Sequence, residues 1–266
     1  MITNEEIKIR YIMLTQIKGL GPVTQNTLLD LCGDINRCFD IDYDDLITAD
    51  AAKQVGKKRI SLFVWQREDK GIRGIAEDIF EKCNTNGIDI VTREDSRFPD
   101  RFMGIVDLPI LLYTKGCLKI NEFSESIGIV GARRCTQEGK KRAIGITTEA
   151  VDMDRAVISG MAKGIDSYAH TAALKSQGYT IAVLGNGADI CYPKEHDRLY
   201  EEIVRDGCVL SEYPPGTVPR EYYFPRRNRI IAALSDTLYV IDAGKHSGTE
   251  STIENSRKYG RDVEMA

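Results

Sequence analysis

The chain has 266 residues, 42% of them hydrophobic and 29% charged, which is typical of a globular protein with a sizeable core and excludes a disordered chain. Its formal net charge of -4 does not indicate a polyanion partner, so a nucleic-acid surface would have to come from local clusters of basic residues. The seven cysteines are scattered without a C-x-x-C pair, which argues against a disulfide framework and a zinc site.

The N-terminal segment is polar, and no later segment approaches the roughly 18 apolar residues of a membrane span, so we expect a cytoplasmic protein without membrane contact. From Ile7 to about Asn84, apolar residues recur at helical spacing, which predicts a small helical domain over residues 1–85. The turn at 17–22 resembles that of a helix-hairpin-helix unit, whose helix N-terminus could hold a phosphate. Only Lys18 is basic there and acidic sequence follows, which favours a turn that merely closes the hairpin.

Residues 86–266 have the pattern of an α/β domain. Two short strand-like pieces come first, and continuous apolar runs then alternate with amphipathic segments, as expected of buried parallel strands covered by helices. The runs cover 127–130, 156–158, 180–184, 208–210 and 237–241. This alternation predicts a Rossmann-like, doubly wound and mostly parallel α/β sheet.

The segments after the predicted strands carry the candidate binding residues, because ligands of such sheets bind at the carboxyl ends of the strands. Glycines there let the backbone approach a phosphate, and the following helix N-termini supply N–H donors. Turn closure would explain a single glycine, but two glycine groups beside Arg133 and Lys163 indicate an anion site. The candidates after the first two long strands are Gly131, Arg133, Ser159, Gly160, Lys163 and Gly164.

Several enzyme classes lack their motifs in this chain. Neither glycine group has the G-x-G-x-x-G spacing of a dinucleotide site, and no G-x-x-x-x-G-K-[ST] segment is present, so we expect no cofactor. The three histidines form no metalloprotease motif and no nucleophile arrangement, so we expect no catalytic residue. Asp166 is expected to cap the helix after the second strand, and His170 to be a hydrogen-bonded helix residue.

An aromatic and basic segment follows the fourth of these strands, with the sequence Y-Y-F-P-R-R-N-R from Tyr222 to Arg229. Aromatic rings stack on bases and guanidinium groups bind phosphates, so the segment suits a single strand of nucleic acid. The structural alternative is that the rings are core residues and the arginines a solvated helix face. Pro225 is expected to put the arginines in a helix's first turn, where the dipole calls for an anionic partner. The candidates are Phe224, Arg226, Arg227, Asn228 and Arg229.

Together these motifs resemble the DprA/Smf family of DNA-processing proteins. The shared segments are V-G-A-R from Val130, S-G-M-A-K-G-I-D from Ser159, F-P-R-R-N-R-I-I from Phe224 and K-H-S-G from Lys245. The resemblance covers nearly the full chain and implies a SAM-like N-terminal domain and an extended Rossmann domain that forms homodimers. It also implies binding and protection of single-stranded DNA, loading of the RecA recombinase in natural transformation, and no enzymatic activity.

The resemblance also assigns roles to matching positions. Family members usually continue beyond the last strand, so a chain that ends at Ala266 is expected to be a fragment or a shortened member. The resemblance implies that DNA phosphates are bound by Gly131, Arg133, Ser159, Gly160 and Lys163. It also implies that Phe224 stacks on a base and that the pocket is completed by Arg227, Asn228 and Arg229.

The alternative function is that of a nucleotide-binding or phosphoribohydrolase-like protein of the LOG (lysine-decarboxylase-like) class, which uses the same strand-end pocket. The P-G-G-x-G-T-x-x-E segment of that class has a partial counterpart in residues 244–249. Its glutamate is replaced by Thr252, which removes the acid that would assist glycosidic cleavage. A third interpretation is a structural adaptor that binds an acidic protein through its arginines.

Overall fold

The computed structural model describes residues 2–244 and 248–266, which pack into two compact units. The first unit comprises Met1–Phe98 and Gly104–Leu112, and the second comprises Pro99–Met103 and Tyr113–Ala266. Residues 86–98 and 104–112 therefore lie with the helical unit, whereas the sequence pattern places them in the second domain. Lys245, His246 and Ser247 of the K-H-S-G motif lie outside the described residues.

The first unit is mainly helical, as the apolar spacing predicts. Side chains of Thr3, Asp34 and Asp69 accept hydrogen bonds from backbone N–H groups at the starts of three helices, which satisfies donors that a helix leaves unpaired. The elements are α1 (Asn4–Gln16), α2 (Pro22–Cys32), α3 (Ile35–Asp40), α4 (Tyr43–Leu46), α5 (Ala49–Gln54), α6 (Lys57–Gln66), α7 (Lys70–Thr85) and strand β1 (Asp89–Thr92).

The turn between α1 and α2 is held by contacts within the hairpin. Gly19 has a φ of +90°, a conformation that favours glycine, and Pro22 begins α2, where its missing N–H costs no helix hydrogen bond. The buried side-chain amide of Gln25 donates to the carbonyl of Leu20 at 2.7 Å. These contacts are those that a hairpin-closing turn requires.

The second unit is built on a mostly parallel sheet with helices between its strands. Its strands lie in the order β2-β6-β5-β4-β3-β7-β8, with β2 antiparallel to β6 and the other neighbours parallel. The strands are β2 (Leu111–Gly116), β3 (Ser126–Gly131), β4 (Ala156–Ser159), β5 (Thr180–Leu184), β6 (Cys208–Ser211), β7 (Thr237–Ile241) and β8 (Asp262–Met265). The helices are α8 (Gln137–Asp152), α9 (Ile165–Lys175), α10 (Asp197–Asp206), α11 (Tyr223–Leu234) and α12 (Glu250–Lys258).

The central strands are buried on both faces. Ile129 in β3, Val157 in β4 and Ile181 in β5 have no exposed surface, in line with the continuous apolar runs that predict these strands. The predicted Rossmann-like, doubly wound α/β sheet is confirmed. The sequence pattern does not predict α12 or β8, because α12 is largely polar and the D-V-E-M strand is short and mostly exposed.

Candidate nucleic-acid interface

A cavity of about 560 Å³ opens beside the carboxyl end of β3. β3 pairs with β4 on one side and with β7 on the other, so the chain winds outward in opposite directions from this point. Ligands of doubly wound sheets bind at such a reversal of strand order. A smaller cavity of about 70 Å³ shares the residues Arg133, Phe224 and Arg227 with the larger one.

Most of the residues singled out from the sequence meet at these two cavities, and four do not line them. Those in the lining are Gly131, Arg133, Gly160, Lys163, Phe224, Arg227 and Asn228. Those outside the lining are Ser159, Gly164, Arg226 and Arg229.

Two of the glycines are required by backbone packing. A Cβ atom on Gly131 would overlap the carbonyl oxygen of Ile241 in β7, and one on Gly164 would overlap the carbonyl oxygen of Ala132. Gly164 also has a φ of +77° at the start of α9. These positions therefore need glycine to bring β3, β7 and the β4–α9 loop together, and the same lack of a side chain leaves backbone near the cavity.

The loop between β4 and α9 is fixed by the buried carboxylate of Asp166. This carboxylate accepts hydrogen bonds from the backbone N–H groups of Gly160 at 3.1 Å and Ala162 at 3.3 Å. The prediction that Asp166 caps α9 is wrong, because Gly164 is the N-cap and Asp166 is the second helical residue, aimed back at the loop. Burial raises the pKa of Asp166, and the positive charge of Arg227 opposes that rise.

The hydroxyl group of Ser159 is used inside the sheet. It is fully buried and donates to the carbonyl of Ile129 in the neighbouring strand at 2.6 Å. A buried hydroxyl with this partner fixes the end of β4. Ser159 thus holds in place the start of the loop that Asp166 organises.

Arg227 places a buried guanidinium group between the two cavities. Its Nη1 atom donates to the carbonyl oxygens of Gly160, at 2.7 Å, and of Val183, and its Nε atom donates to the side-chain oxygen of Asn228 at 3.1 Å. The residue is only 4% exposed, and burial lowers its pKa to about 10. It therefore stays protonated at neutral pH and contributes a fixed positive charge at the cavity wall.

The remaining arginines of α11 lie near a carboxylate of the chain itself. Arg229 forms a two-pronged pair with Glu212, with N–O distances of 2.7 and 3.1 Å, and the Nε atom of Arg226 lies 3.7 Å from the same carboxylate. The expected anionic partner is thus internal for Arg229. The prediction that Pro225 puts the arginines in the first turn is wrong, because α11 begins at Tyr223 and Arg226 is its fourth residue.

Two exposed cations stand at the cavity mouth. Arg133 is exposed and forms no ion pair with any residue that the structure describes. Lys163 lies 2.7 Å from Glu195, but both side chains are more than half exposed, so water and salt screen this pair. Both cations are therefore accessible to an external anion.

An aromatic pair completes the lining. The rings of Tyr192 and Phe224 stack with centroids 5.5 Å apart and an interplanar angle of 22°, and both residues line both cavities. Tyr192 is not among the binding residues predicted from the sequence, because it lies far from Phe224 in the chain and a lone tyrosine carries no signal of its own. A flat aromatic surface beside cations is the arrangement that binds unpaired bases.

Comparison with known proteins decides the family. The model of a family described as DNA recombination-mediator protein A matches residues 89–266. The chain belongs to this family. Among its relatives, DNA processing protein DprA of Streptococcus pneumoniae is 42% identical over 169 residues, which are 64% of this chain and 59% of the relative. Protein Smf of Synechocystis is 33% identical over 256 residues, 95% of this chain and 63% of the relative. The chain therefore spans about three fifths of these curated relatives.

Solved structures agree with this assignment. The structure of DprA from Streptococcus pneumoniae has a TM-score of 0.79 and 32% identity, covering 99% of this chain and 86% of that one. A structure reporting the single-stranded DNA binding mode of DprA from Helicobacter pylori has a TM-score of 0.62 and 29% identity, covering 68% of this chain and 81% of that one. The DprA/Smf resemblance stated from the motifs is confirmed.

In this DprA/Smf family member the position at which the LOG class has its glutamate carries no acid. Thr252 lines the cavity, and its buried hydroxyl has no hydrogen-bond partner among the described residues. His170 is a hydrogen-bonded helix residue, as predicted, with its Nδ1 atom 2.7 Å from the Thr180 hydroxyl. Burial lowers the pKa of His170 to about 3, so its ring is neutral at physiological pH.

Residues 2–244 and 248–266 contain no group of three or more histidine, cysteine, aspartate or glutamate side chains arranged to hold a metal ion. No helix in that part of the chain is long and apolar enough to cross a membrane.

Proposed function

We propose that this chain binds single-stranded DNA in the strand-end cavity, protects it, and loads the RecA recombinase onto it as a homodimer, without enzymatic activity. The observation that carries the proposal is the meeting of exposed cations, a buried guanidinium and a stacked aromatic pair at one cavity. The single-stranded DNA binding mode reported for the DprA of Helicobacter pylori, which shares this fold, supports it.

The exposed residues of the site would bind the DNA phosphates. Arg133 and Lys163 reach solvent at the cavity mouth and would pair with successive phosphates. The backbone at Gly131, which lines the larger cavity, would approach the same phosphates without side-chain interference, whereas the N–H of Gly160 already donates to Asp166. The charge of Arg227 adds attraction from inside the protein, where water screens it less.

The aromatic pair of Tyr192 and Phe224 would bind a base. Phe224 would stack on a base, supported from behind by Tyr192, and stacking accepts any base because every base has a π face. A cavity of about 560 Å³ has room for an unpaired base, whereas a base in a duplex is already stacked and paired. We therefore expect a preference for single strands with little sequence dependence.

The other residues assigned from the resemblance would act as positioning residues. Ser159 fixes the end of β4 through Ile129, and Arg229 ties α11 to Glu212. The Asn228 side chain donates to the carbonyl of Gly248 and to the Ser251 hydroxyl, both at 3.0 Å, which links α11 to the segment before α12.

The proposal is tested by fluorescence anisotropy of a labelled oligothymidine, single-stranded and as a duplex, at two salt concentrations. Arg133→Ala should lower single-strand affinity about tenfold or more, the amount expected for a lost charged hydrogen bond, and should reduce the salt slope by about 0.7. The matched control is Arg198→Ala, whose side chain is 91% exposed on α10 and outside both cavities, and it should bind as the wild type does.

Absence of single-strand binding at low salt would refute the proposal, and a labelled mononucleotide would then test the LOG alternative. Sedimentation of the free chain tests the homodimer. The rate of RecA filament assembly on a strand that already carries this chain tests RecA loading, and no acceleration would contradict that part.

A further inference from the structure

A second row of aromatic rings adjoins the cavity at the start of α11. Tyr222 packs at a tilt against Tyr223, with ring centroids 4.4 Å apart and an interplanar angle of 58°, and Tyr223 packs against Tyr213 with centroids 4.2 Å apart. Tyr213 is 8% exposed and Tyr222 is 60% exposed. The row therefore runs from the interior to solvent, with Tyr222 as its outermost ring.

Tyr222 presents most of its ring to solvent. Its hydroxyl accepts a hydrogen bond from the exposed Arg220 at 3.2 Å, and a second hydrogen bond links it to the hydroxyl of Tyr223. Tyrosine is enriched at binding interfaces, because its ring supplies apolar contact area while its hydroxyl group can remain in water. Tyr223 contacts one side of the Tyr222 ring, and the rest of the ring faces solvent.

The charges around Tyr222 suit an anionic chain. Arg220 is exposed, and Arg226, four residues after Tyr222, is half exposed. Two carboxylates lie nearby, but Glu212 is 5% exposed and is engaged by Arg229, which leaves Glu221 as the exposed acid of this segment. Rings flanked by guanidinium groups are the usual surface for consecutive nucleotides of a single strand.

The row is also continuous with the cavity. Glu221 and Phe224 both line the cavity, and Tyr222 lies between them in the chain. Consecutive Cα atoms are about 3.8 Å apart, so the Cα atoms of Tyr222 and Phe224 are separated by less than about 7.6 Å. A strand with one base on Phe224 would bring a neighbouring nucleotide to Tyr222.

We propose that Tyr222, supported by Tyr223 and flanked by Arg220 and Arg226, is a second stacking position for single-stranded DNA. It takes the base of a nucleotide outside the cavity and so extends the length of strand that the protein holds. This inference rests on the proposed function of the cavity, and strand length separates the two experimentally.

The test compares two labelled ligands: a thymidine mononucleotide, taken as the shorter strand, which cannot reach Tyr222 while its base lies on Phe224, and an oligothymidine of about 16 nucleotides, the upper end of the site sizes known for single-strand binding modules. Tyr222→Ala should weaken binding of the longer strand about fivefold or more and leave the shorter strand unchanged, whereas Tyr222→Phe, which keeps the ring, should bind both as the wild type does. Arg220→Ala should weaken only the longer strand, and Arg133→Ala should weaken both.

A direct readout of stacking uses the single tryptophan of the chain, Trp65. In the double variant Trp65→Phe, Tyr222→Trp, the longer strand should quench tryptophan fluorescence and the shorter strand should not. Equal affinities of Tyr222→Ala and wild type for the longer strand would overturn the inference and leave the cavity proposal standing. Equal weakening of both strands would also overturn it, since Tyr222 would then belong to the cavity. If the wild type bound neither strand, the cavity proposal would fail and this inference with it.

Discussion

The buried pair of Glu212 and Arg229 gives a quantitative test of how the site is supported. The two side chains are 5% and 9% exposed and meet through two N–O contacts of 2.7 and 3.1 Å. Glu212 directly follows β6, and Arg229 lies in the middle of α11, so the pair fixes the helix that carries Phe224 and Arg227. Glu212→Gln removes the charge and keeps a similar shape.

The expected loss of stability follows from burial. Removing one partner of a buried ion pair leaves the other charge without compensation, which costs about 3–5 kcal/mol, whereas exposed pairs contribute about 0–1 kcal/mol. Glutamine still offers one oxygen to the guanidinium, so we expect Glu212→Gln at the lower end, about 3 kcal/mol. The double variant Glu212→Gln, Arg229→Met leaves no unpaired charge and should recover part of that loss.

Urea unfolding followed by circular dichroism measures these differences as shifts of the midpoint at constant slope. The matched control is Glu202→Gln on α10, which breaks a pair with the 91% exposed Arg198 that solvent reaches, and it should change the free energy of unfolding by less than about 1 kcal/mol. If Glu212→Gln lowered the free energy of unfolding no more than Glu202→Gln does, the pair would not act as a buried unit. The same would follow if adding Arg229→Met to Glu212→Gln lowered the free energy of unfolding by about 3 kcal/mol more.

Two further predictions concern packing and pH. Gly131→Ala places a Cβ against the Ile241 carbonyl and the Ile165 side chain, so it should destabilise the fold by about 1–3 kcal/mol. Its control is Gly145→Ala, at an exposed position of α8 where no atom lies near the added Cβ. In the same urea assay this control should stabilise the fold by up to about 1 kcal/mol. Equal effects of the two glycine variants would refute the close approach of β3 and β7. Burial lowers the pKa of His170 from 6.5 to about 3, so between these pH values the unfolded chain binds a proton that the folded chain does not. The free energy of unfolding should therefore be highest above pH 6.5 and fall as the pH drops towards 3. His170 should contribute up to about 1.4 kcal/mol of this loss per pH unit. His170→Gln should flatten this dependence between pH 6.5 and 5, and an unchanged slope would contradict the neutral, buried ring.

The sheet was predictable because its strands are covered on both faces. The apolar runs at 180–184 and 237–241 coincide with β5 and β7, and the other three runs fall within one residue of their strands at either end. A continuous apolar run is stable only when it is buried, so the run by itself predicts the strand without knowledge of what packs against it. β8 has no such signal, because an exposed strand has no apolar run and is fixed only by its pairing with β7.

The roles of the three arginines in α11 were not predictable in the same way. Arg226, Arg227 and Arg229 lie within four residues, yet the first is half exposed, the second is buried among carbonyl oxygens and the third is paired with Glu212. Each step along a helix turns the side chain by about 100°, so these environments depend on where the helix begins and on what packs against it. Neither fact is contained in the R-R-N-R segment itself.

This division of charge shows how a chain with a net charge of -4 would bind the proposed polyanion. Arg227 is bonded to carbonyl oxygens of the chain and Arg229 is paired with Glu212, so neither is placed to neutralise a phosphate, and both can shape the site without adding to the salt dependence of binding. The exposed cations Arg133 and Lys163, with Arg220 and Arg226 at the second stacking position, are the ones that would displace counterions from DNA. The salt slope should therefore reflect about four phosphates at most, each contributing about 0.7, and a steeper slope would mean that further basic residues take part.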